Sequence, residues 1–461
     1  MSSRISRRSF LKGTALAAGV TILSGSLSAR TYAQNAKVRF GNVGVGGRGG
    51  GHLGPASKEN LAAICDTNED TVNKVGDTYK DAKKFTDWRK MFDEMGGKID
   101  AVFCATPDHS HFPVAYRALT MGKHCYCEKP LTHGIWESRV LADLAREKKL
   151  VTQMGNQGHA NQGNRRIVEW IQAGVIGEVK EIHTWTNRPV WPQGLDRPAY
   201  TDPVPATRNW DVWLGVAPER PFADKWREGN EKVKGRPVYD GFSWRGWFDF
   251  GSGAVGDMGC HTFDCVWWAM DPVAPLSAEP IKVVDKTKEM FPRQMIVKWE
   301  FPKNAKRPGF TAFWYEGTLK PDVPEEIKND AARTKKDLPN SGNLFIGTKG
   351  KLFVQGDYGD TPMLIPTATM EDFKKNMPPR MEASPGHHEE FIMACRGDKP
   401  WDFPKSNFMY GGPLCEAMLL GNVAMQLGKK IEWDYKALKC PGTPEADALI
   451  HRAYRKGFVN M

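Results

Sequence analysis

The sequence predicts an α/β chain in two parts: a parallel-sheet domain first, then an α+β domain with a mostly antiparallel sheet. Three observations predict it. Between residues 37 and 157 short apolar segments alternate with helical ones, the pattern of strands joined by crossover helices. Between 281 and 356, β-like segments follow one another without intervening helices, which favours antiparallel pairing. The chain has 461 residues, length enough for two or three domains. Its 40% hydrophobic and 26% charged residues are ordinary globular proportions, excluding collagen-like, disordered and disulfide-scaffold classes.

The N-terminus predicts an address. Residues 1–33 hold Arg4, Arg7, Arg8, Lys12 and Arg30 and no acid. Ser6-Arg7-Arg8-Ser9-Phe10-Leu11-Lys12 resembles the twin-arginine export signal. A mildly apolar stretch follows, and Thr31-Tyr32-Ala33 offers small residues for cleavage after Ala33. The expectation is a removable signal over 1–33 and a periplasmic or extracellular protein that is exported folded. Without that segment the charge falls from +10 to +5. So small an excess, with no basic cluster elsewhere, predicts no nucleic-acid partner. No apolar run reaches the roughly 20 residues of a membrane span. The nine cysteines lack framework spacing and read as buried thiols.

In the first domain, expected over 37–157, Lys37–Val45 reads as a strand and Leu61–Cys65 as a second. Ile99–Ala105, Lys123–Cys127 and Leu150–Met154 read as further strands. Met91–Met95, Pro113–Met121 and Ile135–Lys148 read as helices. In the second, expected over 158–461, Ile167–Ile171 is apolar at helical spacing and Glu178–Thr186 alternates like a strand. Residues 187–247, rich in Pro, Trp and Arg, read as long loops. A helix is expected near 257–270, strands at Gln294–Phe301 and Leu344–Ile346, and a surface loop over Pro321–Asn340. Leu414, Met418, Gly421 and Met425 mark one face of a late helix.

Gly44-Val-Gly46-Gly47-Arg48-Gly49 fits G-x-G-x-x-G, follows a strand, and precedes by 22 residues Asp66 at the end of the next. That context is what the dinucleotide-binding fingerprint requires. Gly44 permits the tight turn, Gly46 lets backbone approach a pyrophosphate, and Gly49 allows close helix–strand packing. The pyrophosphate meets free N–H groups at a helix N-terminus. Asp66 suits a ribose diol and repels a 2′-phosphate, which favours NAD over NADP. Arg48, able to pair with a phosphate, softens that preference.

Ala105-Thr106-Pro107-Asp-His-Ser-His111, Gly122-Lys-His-Cys-Tyr-Cys-Glu128-Lys129-Pro130 and Gly253-Ala-Val-Gly-Asp257-Met-Gly-Cys-His261 together resemble the Gfo/Idh/MocA family of NAD(P)-dependent oxidoreductases. The resemblance covers essentially residues 37–461. It implies a Rossmann domain paired with an open, mostly antiparallel sheet, and an active site between them. It also implies catalytic roles for Lys129, Asp257 and His261. Glu128 and Pro130 shape the lysine's turn, and Thr106 and Pro107 are cofactor candidates. His109 and His111 follow the third-strand segment, at the mouth where ligands bind in open α/β sheets. His111 is the family-typical one, and both a turn-stabilising role and cofactor contact fit it. An open apolar sheet face predicts a homodimer or homotetramer.

The chemistry of those residues agrees. Oxidising a sugar hydroxyl needs a base for its proton, and histidine, with pKa about 6.5, suits that. A helix puts Asp257 and His261 on one face, where Asp257 is expected to orient the imidazole. Lys129 is expected to hydrogen-bond the reacting oxygen, its pKa depressed by a nicotinamide cation. Bland readings fit too: Asp257 as N-cap of a helix starting near Met258, His261 as a core histidine, Lys129 as a solvated loop lysine. His387-His388-Glu389-Glu390 lacks ligand spacing and reads as a solvated helix start, so no metal site is expected.

Met154-Gly-Asn156-Gln-Gly-His159 replaces an Arg-containing segment common in the family, so Asn156, also a cofactor candidate, and His159 are expected at an altered substrate pocket. Nine of sixteen Trp fall between 185 and 268. Flat aromatic faces suit sugars, although most of these Trp are expected in the core. Arg188, Arg197 and Arg245 are candidates for hydroxyl or acid recognition.

Three functions follow. The first is a sugar oxidoreductase with a tightly held NAD. The second is an NAD-dependent glycosidase, resembling α-N-acetylgalactosaminidases that work by transient oxidation at carbon 3 and elimination. The third is a sugar sensor with a vestigial cofactor site. Export favours a cofactor that does not dissociate, because no soluble NAD pool lies outside the cytoplasm.

Overall fold

The computed structural model describes residues 37–227, 231 and 233–459. The export motif and its cleavage site lie outside them.

Six strands form the first sheet: β1 (Arg39–Val43), β2 (Asn60–Cys65), β3 (Lys83–Phe85), β4 (Ala101–Cys104), β5 (His124–Glu128) and β6 (Thr152–Gly155). Their order is β3-β2-β1-β4-β5-β6, and every pair is parallel. Helices α1 (Gly50–Lys58), α2 (Glu69–Thr78), α3 (Trp88–Met95), α4 (His111–Thr120) and α5 (Ile135–Lys148) connect them. The strand order reverses between β1 and β4, which opens a crevice at their carboxyl ends. β4 is buried along its whole length, as a continuous apolar run covered on both faces must be. β3 escapes the sequence pattern because it is a three-residue edge strand with two exposed lysines.

After α6 (Gln162–Gln172), the second sheet is built from β7 (Val179–Thr186), β8 (Ser277–Val284), β9 (Gln294–Phe301), β10 (Phe310–Glu316), β11 (Gly342–Gly347), β12 (Lys351–Gln355), β13 (Thr361–Ile365) and β14 (Ile431–Glu432). The order is β13-β12-β11-β7-β10-β9-β8-β14. All neighbours are antiparallel except β7 and β10. β9 alternates buried Met295, Val297, Trp299 and Phe301 with half-buried residues, the period-2 signature of a sheet covered on one face. The helix expected near 257–270 starts earlier and is broken at Phe263, giving α7 (Gly253–Thr262) and α8 (Asp264–Met270). Asp257 therefore sits inside α7 and is not its N-cap. Every residue of α7 is buried. Its glycines permit that, since a Cβ on Gly259 would stand 2.9 Å from Met418 Sδ.

The chain then returns to the first sheet. Phe391 and Ile392 of α9 (His387–Arg396) join the core of Phe40, Phe103 and Tyr126. α10 (Phe408–Leu427) packs along α5. His387 and Glu390 of that helix start are accordingly buried, not solvated, while Glu389 stays exposed. His387 Nε2 donates to Met154 O at 2.9 Å, and buried Glu390 accepts from Ser384 and from Lys405 N. All nine cysteines are unpaired thiols, eight of them buried. Among the described residues no helix is long and apolar enough to cross a membrane.

Candidate active site

The glycine turn and the second domain enclose one cleft of about 660 Å³, within the usual range for small-molecule sites. Gly44 opens the turn at φ +78, with the position of a Cβ 2.5 Å from Ala105 O. Only glycine tolerates both conditions. A Cβ on Gly49 would lie 1.9 Å from Gly44 O, the close helix–strand approach expected of the third glycine. Among the described residues, a Cβ on Gly46 would meet only Thr71 and Asp66, and one on Gly47 nothing within 4 Å. Protein atoms thus leave free the space a pyrophosphate would take, so the turn fits a dinucleotide.

Asp66 holds the turn from below. Its Oδ2 accepts from Val45 N at 3.1 Å and Gly46 N at 3.3 Å, and Oδ1 accepts from Asn68 N at 3.1 Å. Burial raises its pKa, and these N–H donors oppose the rise. Thr106 and Pro107 line the cleft after β4. His111 lines it as well, but both its ring nitrogens face backbone, Pro130 O at 2.7 Å and Thr106 O at 2.9 Å. It fastens the Thr106–Pro107 turn to the Lys129–Pro130 turn.

Glu128 ends β5 in the interior. Its Oε1 takes Arg48 Nε at 2.9 Å and Gln157 Nε2 at 2.9 Å, with His52 Nε2 3.1 Å away. Burial alone would raise this carboxyl, yet His52 and Arg48 hold it well below the usual carboxylate range. One residue on, Lys129 crosses to the second domain. Its Nζ donates to Asp257 Oδ1 at 2.6 Å and to Asp257 O at 2.6 Å. Arg245 Nε donates to the same Oδ1 at 2.7 Å. Against the cost of burial, the two cations hold Asp257 ionised, far below its ordinary pKa. Asp108, buried behind them, behaves oppositely: burial pushes it up to about 7 despite Arg245 and Lys129.

His261 lies one helical turn beyond Asp257, edge-on to Tyr358 with centroids 5.0 Å apart. Burial and then the Lys129 charge push its pKa down to about 3, so the imidazole is neutral at physiological pH and able to accept a proton. Asp257 does not orient it. Asp257 Oδ1 is taken by Lys129 and Arg245, and His261 Nδ1 has no hydrogen-bond partner among the described residues.

Lys129, Asp257, His261, Gly44, Gly46, Gly47, Arg48, Asp66, Thr106, Pro107, His111 and Glu128 all line this cleft. Asn156 does not. It is fully buried and accepts from Ser406 Oγ. His159 is buried too, on Asp264 and stacked on Trp268. Asn156 thus meets the chain just before α10 and His159 meets α8, while Gln157 between them faces the cleft. Arg188 and Arg245 face the cleft, whereas Arg197 pairs with Glu289 away from it. Of the nine Trp, Trp213 and Trp244 line it. Sequence reasoning missed Arg208, Asp240, Phe242 and Tyr358, which come from segments without periodicity or motif, and passed over Gln157 in favour of its neighbours Asn156 and His159.

A parallel sheet of this order, a glycine cradle at its switch point and a second domain supplying Asp257 and His261 define a two-domain protein with an NAD-binding Rossmann fold. Two family models match, the oxidoreductase family NAD-binding Rossmann fold over residues 38–156 and the oxidoreductase family C-terminal alpha/beta domain over 178–290, together half of the chain. The chain belongs to the Gfo/Idh/MocA oxidoreductase family. Among relatives, levoglucosan dehydrogenase of Pseudarthrobacter phenanthrenivorans is 27% identical over 154 residues, 30% of this chain and 39% of that protein. A glycosyl hydrolase family 109 protein of Shewanella putrefaciens is 28% identical over 206 residues, 38% of this chain and 44% of that one. The chain spans less than half the length of these relatives. The WlbA dehydrogenase of Bordetella pertussis, solved with NADH and UDP-GlcNAcA, shares the fold with a TM-score of 0.56 at 16% identity, over 86% of this chain and 99% of that one.

Proposed function

We propose that this protein transfers hydride between a tightly held NAD and a sugar or sugar derivative in the interdomain cleft. The observation that carries the reading is the meeting of Lys129 and Asp257, 2.6 Å apart, with His261 on the same helix and the glycine cradle in the same cleft. Nicotinamide, when bound, supplies the hydride acceptor or donor. Neutral His261 takes the hydroxyl proton. Lys129 donates a hydrogen bond to the substrate oxygen, and Asp257 with Arg245 fixes that ammonium in place. Trp244 and Phe242 offer flat faces at the mouth. Sugar-named dehydrogenases among the relatives support the substrate class.

Export by the twin-arginine route to the periplasm or cell exterior belongs to the same reading. It rests on Arg7, Arg8 and the segment behind them, and it favours NAD that stays bound through turnover. Assembly into a homodimer or homotetramer rests on half-buried Ile296, Phe313 and Tyr315 on the outer sheet face.

A second reading, the NAD-dependent glycosidase acting by oxidation at carbon 3 and elimination, is favoured by the family 109 relative. One experiment tests both. The protein is purified without added nucleotide, released nucleotide is identified by mass spectrometry, and free sugars and aryl glycosides are then offered. Reduction of bound nicotinamide by a free sugar supports the oxidoreductase. Glycoside cleavage without net reduction supports the glycosidase. Neither activity, with no nucleotide taken up, refutes both.

A further inference from the structure

We infer that the choice between NAD and NADP is set from the second domain as well as the first, by Asp240 acting on Arg208 beside Asp66. This rests on the reading of the cleft as a dinucleotide site.

The second domain reaches over the end of the cleft where Asp66 stands. Asn209 N donates to Thr67 O at 2.8 Å, and Glu69 N donates to Thr207 O at 2.8 Å. Thr207 Oγ1 donates to Asp70 Oδ2 at 2.9 Å, and Arg208 pairs with Asn68 as an antiparallel bridge. These contacts lay Arg208 along the loop that follows β2, two residues from Asp66. Asp66, Arg208 and Asp240 all line the cleft there.

A cation beside the β2 carboxylate is what recognition of a 2′-phosphate requires, since a guanidinium pairs with phosphate through two N–H donors. Arg208 is not at liberty to do so. Its Nη1 donates to Asp240 Oδ1 at 2.6 Å, and its side chain is only 10% exposed. One carboxylate thus pairs with the guanidinium and a second stands near enough to feel its charge, so these three groups together carry one net negative charge. A ribose diol gains hydrogen bonds in that setting, whereas a 2′-phosphate meets repulsion. Asp66 alone does not settle the choice: its oxygens already serve three backbone donors, while Asp240 determines whether Arg208 is available.

The test is competitive loading. The protein is stripped of nucleotide, equilibrated with equal NAD and NADP, and desalted. The bound pair is quantified by mass spectrometry, without recourse to activity. Wild type is expected to hold NAD in large excess. Asp240→Asn should raise the NADP-to-NAD ratio about ten-fold, as one freed charge-assisted contact allows. Combining it with Asp66→Asn should raise the ratio further, and adding Arg208→Gln to the pair should abolish the gain. A ratio unmoved by Asp240→Asn, with NAD still bound, overturns this inference alone. A wild-type chain that takes up neither nucleotide overturns the reading beneath it as well.

Discussion

Lys129 Nζ stands 2.6 Å from Asp257 Oδ1 although 128 residues separate them in the chain. The lysine belongs to the turn after β5 of the first sheet and the aspartate to a helix of the second domain. Their contact is therefore both a domain junction and the centre of the site. Because Asp257 also takes Arg245, one carboxylate serves two cations in the interior, and removing it leaves both unpaired.

Replacing Asp257 by Asn keeps the shape of the side chain and removes the charge that fixes Lys129. Turnover should fall about 10²-fold, and Lys129→Met should cost up to about 10⁴-fold. Nucleotide uptake should survive Asp257→Asn, because the glycine cradle lies in the other domain. A variant with unaltered turnover would remove Asp257 from the mechanism. Mass-spectrometric quantification of bound nucleotide, beside steady-state kinetics, separates the two effects.

The pH profile should carry the mark of His261. Its pKa is pushed down to about 3, first by burial and then by Lys129, so the proton-accepting form persists to low pH. The acid limb of kcat/KM should lie well below the about 6.5 of an ordinary histidine. An acid limb at the ordinary value, lost in His261→Asn, would show that the imidazole is solvated in the working enzyme.

Glu316 predicts a pH dependence of stability. It is buried at the end of β10, with Oε2 on Trp314 Nε1 at 2.9 Å and Oε1 without a partner among the described residues. Burial raises its pKa to about 8. A group raised on folding contributes stability that is fully present below the unfolded value, about 4.3, and is lost as pH rises through the folded value. Between about pH 4.3 and 8 the loss is on the order of 1 kcal/mol per pH unit. Glu316→Gln should flatten that slope in thermal melts, and an unchanged slope would contradict the assignment.

Gly44, Gly46 and Gly49, the fingerprint glycines of the turn, should respond differently to alanine. Gly44→Ala faces both φ +78 and Ala105 O at 2.5 Å, and should destabilise the fold by about 1–3 kcal/mol. Gly49→Ala, at 1.9 Å from Gly44 O, should be at least as costly. Gly46→Ala meets only ordinary contacts, so its Tm should stay near wild type. Its methyl instead enters nucleotide space, and NAD affinity should drop about ten-fold or more. Melts paired with NAD titration distinguish the classes.

Much of this was legible in the chain because it depends on local rules. Helix Ile135–Lys148 falls where the apolar spacing puts it. Gly44, Gly49 and Asp66 were readable because a strand, a turn and a second strand impose fixed offsets. Lys129, Asp257 and His261 stood out by motif. Asn156 misled because nothing in its neighbourhood signals that Ser406, 250 residues on, will bury it. Arg208 lies in a loop placed by contacts with the turn after β2 and with α2, and Asp240 joins the site through Arg208; no period or spacing encodes such contacts. The orientation of His261 failed for a different reason: two cations outcompete the imidazole for one carboxylate.

Gln153 of β6 donates to His387 O across 234 residues, and α9 covers Phe40, Phe103 and Tyr126. During synthesis that aromatic surface stays bare until the ribosome has delivered α9. The domain encoded first is thus among the last to be finished, and a gene truncated after its sixth strand would yield a sticky, incomplete sheet.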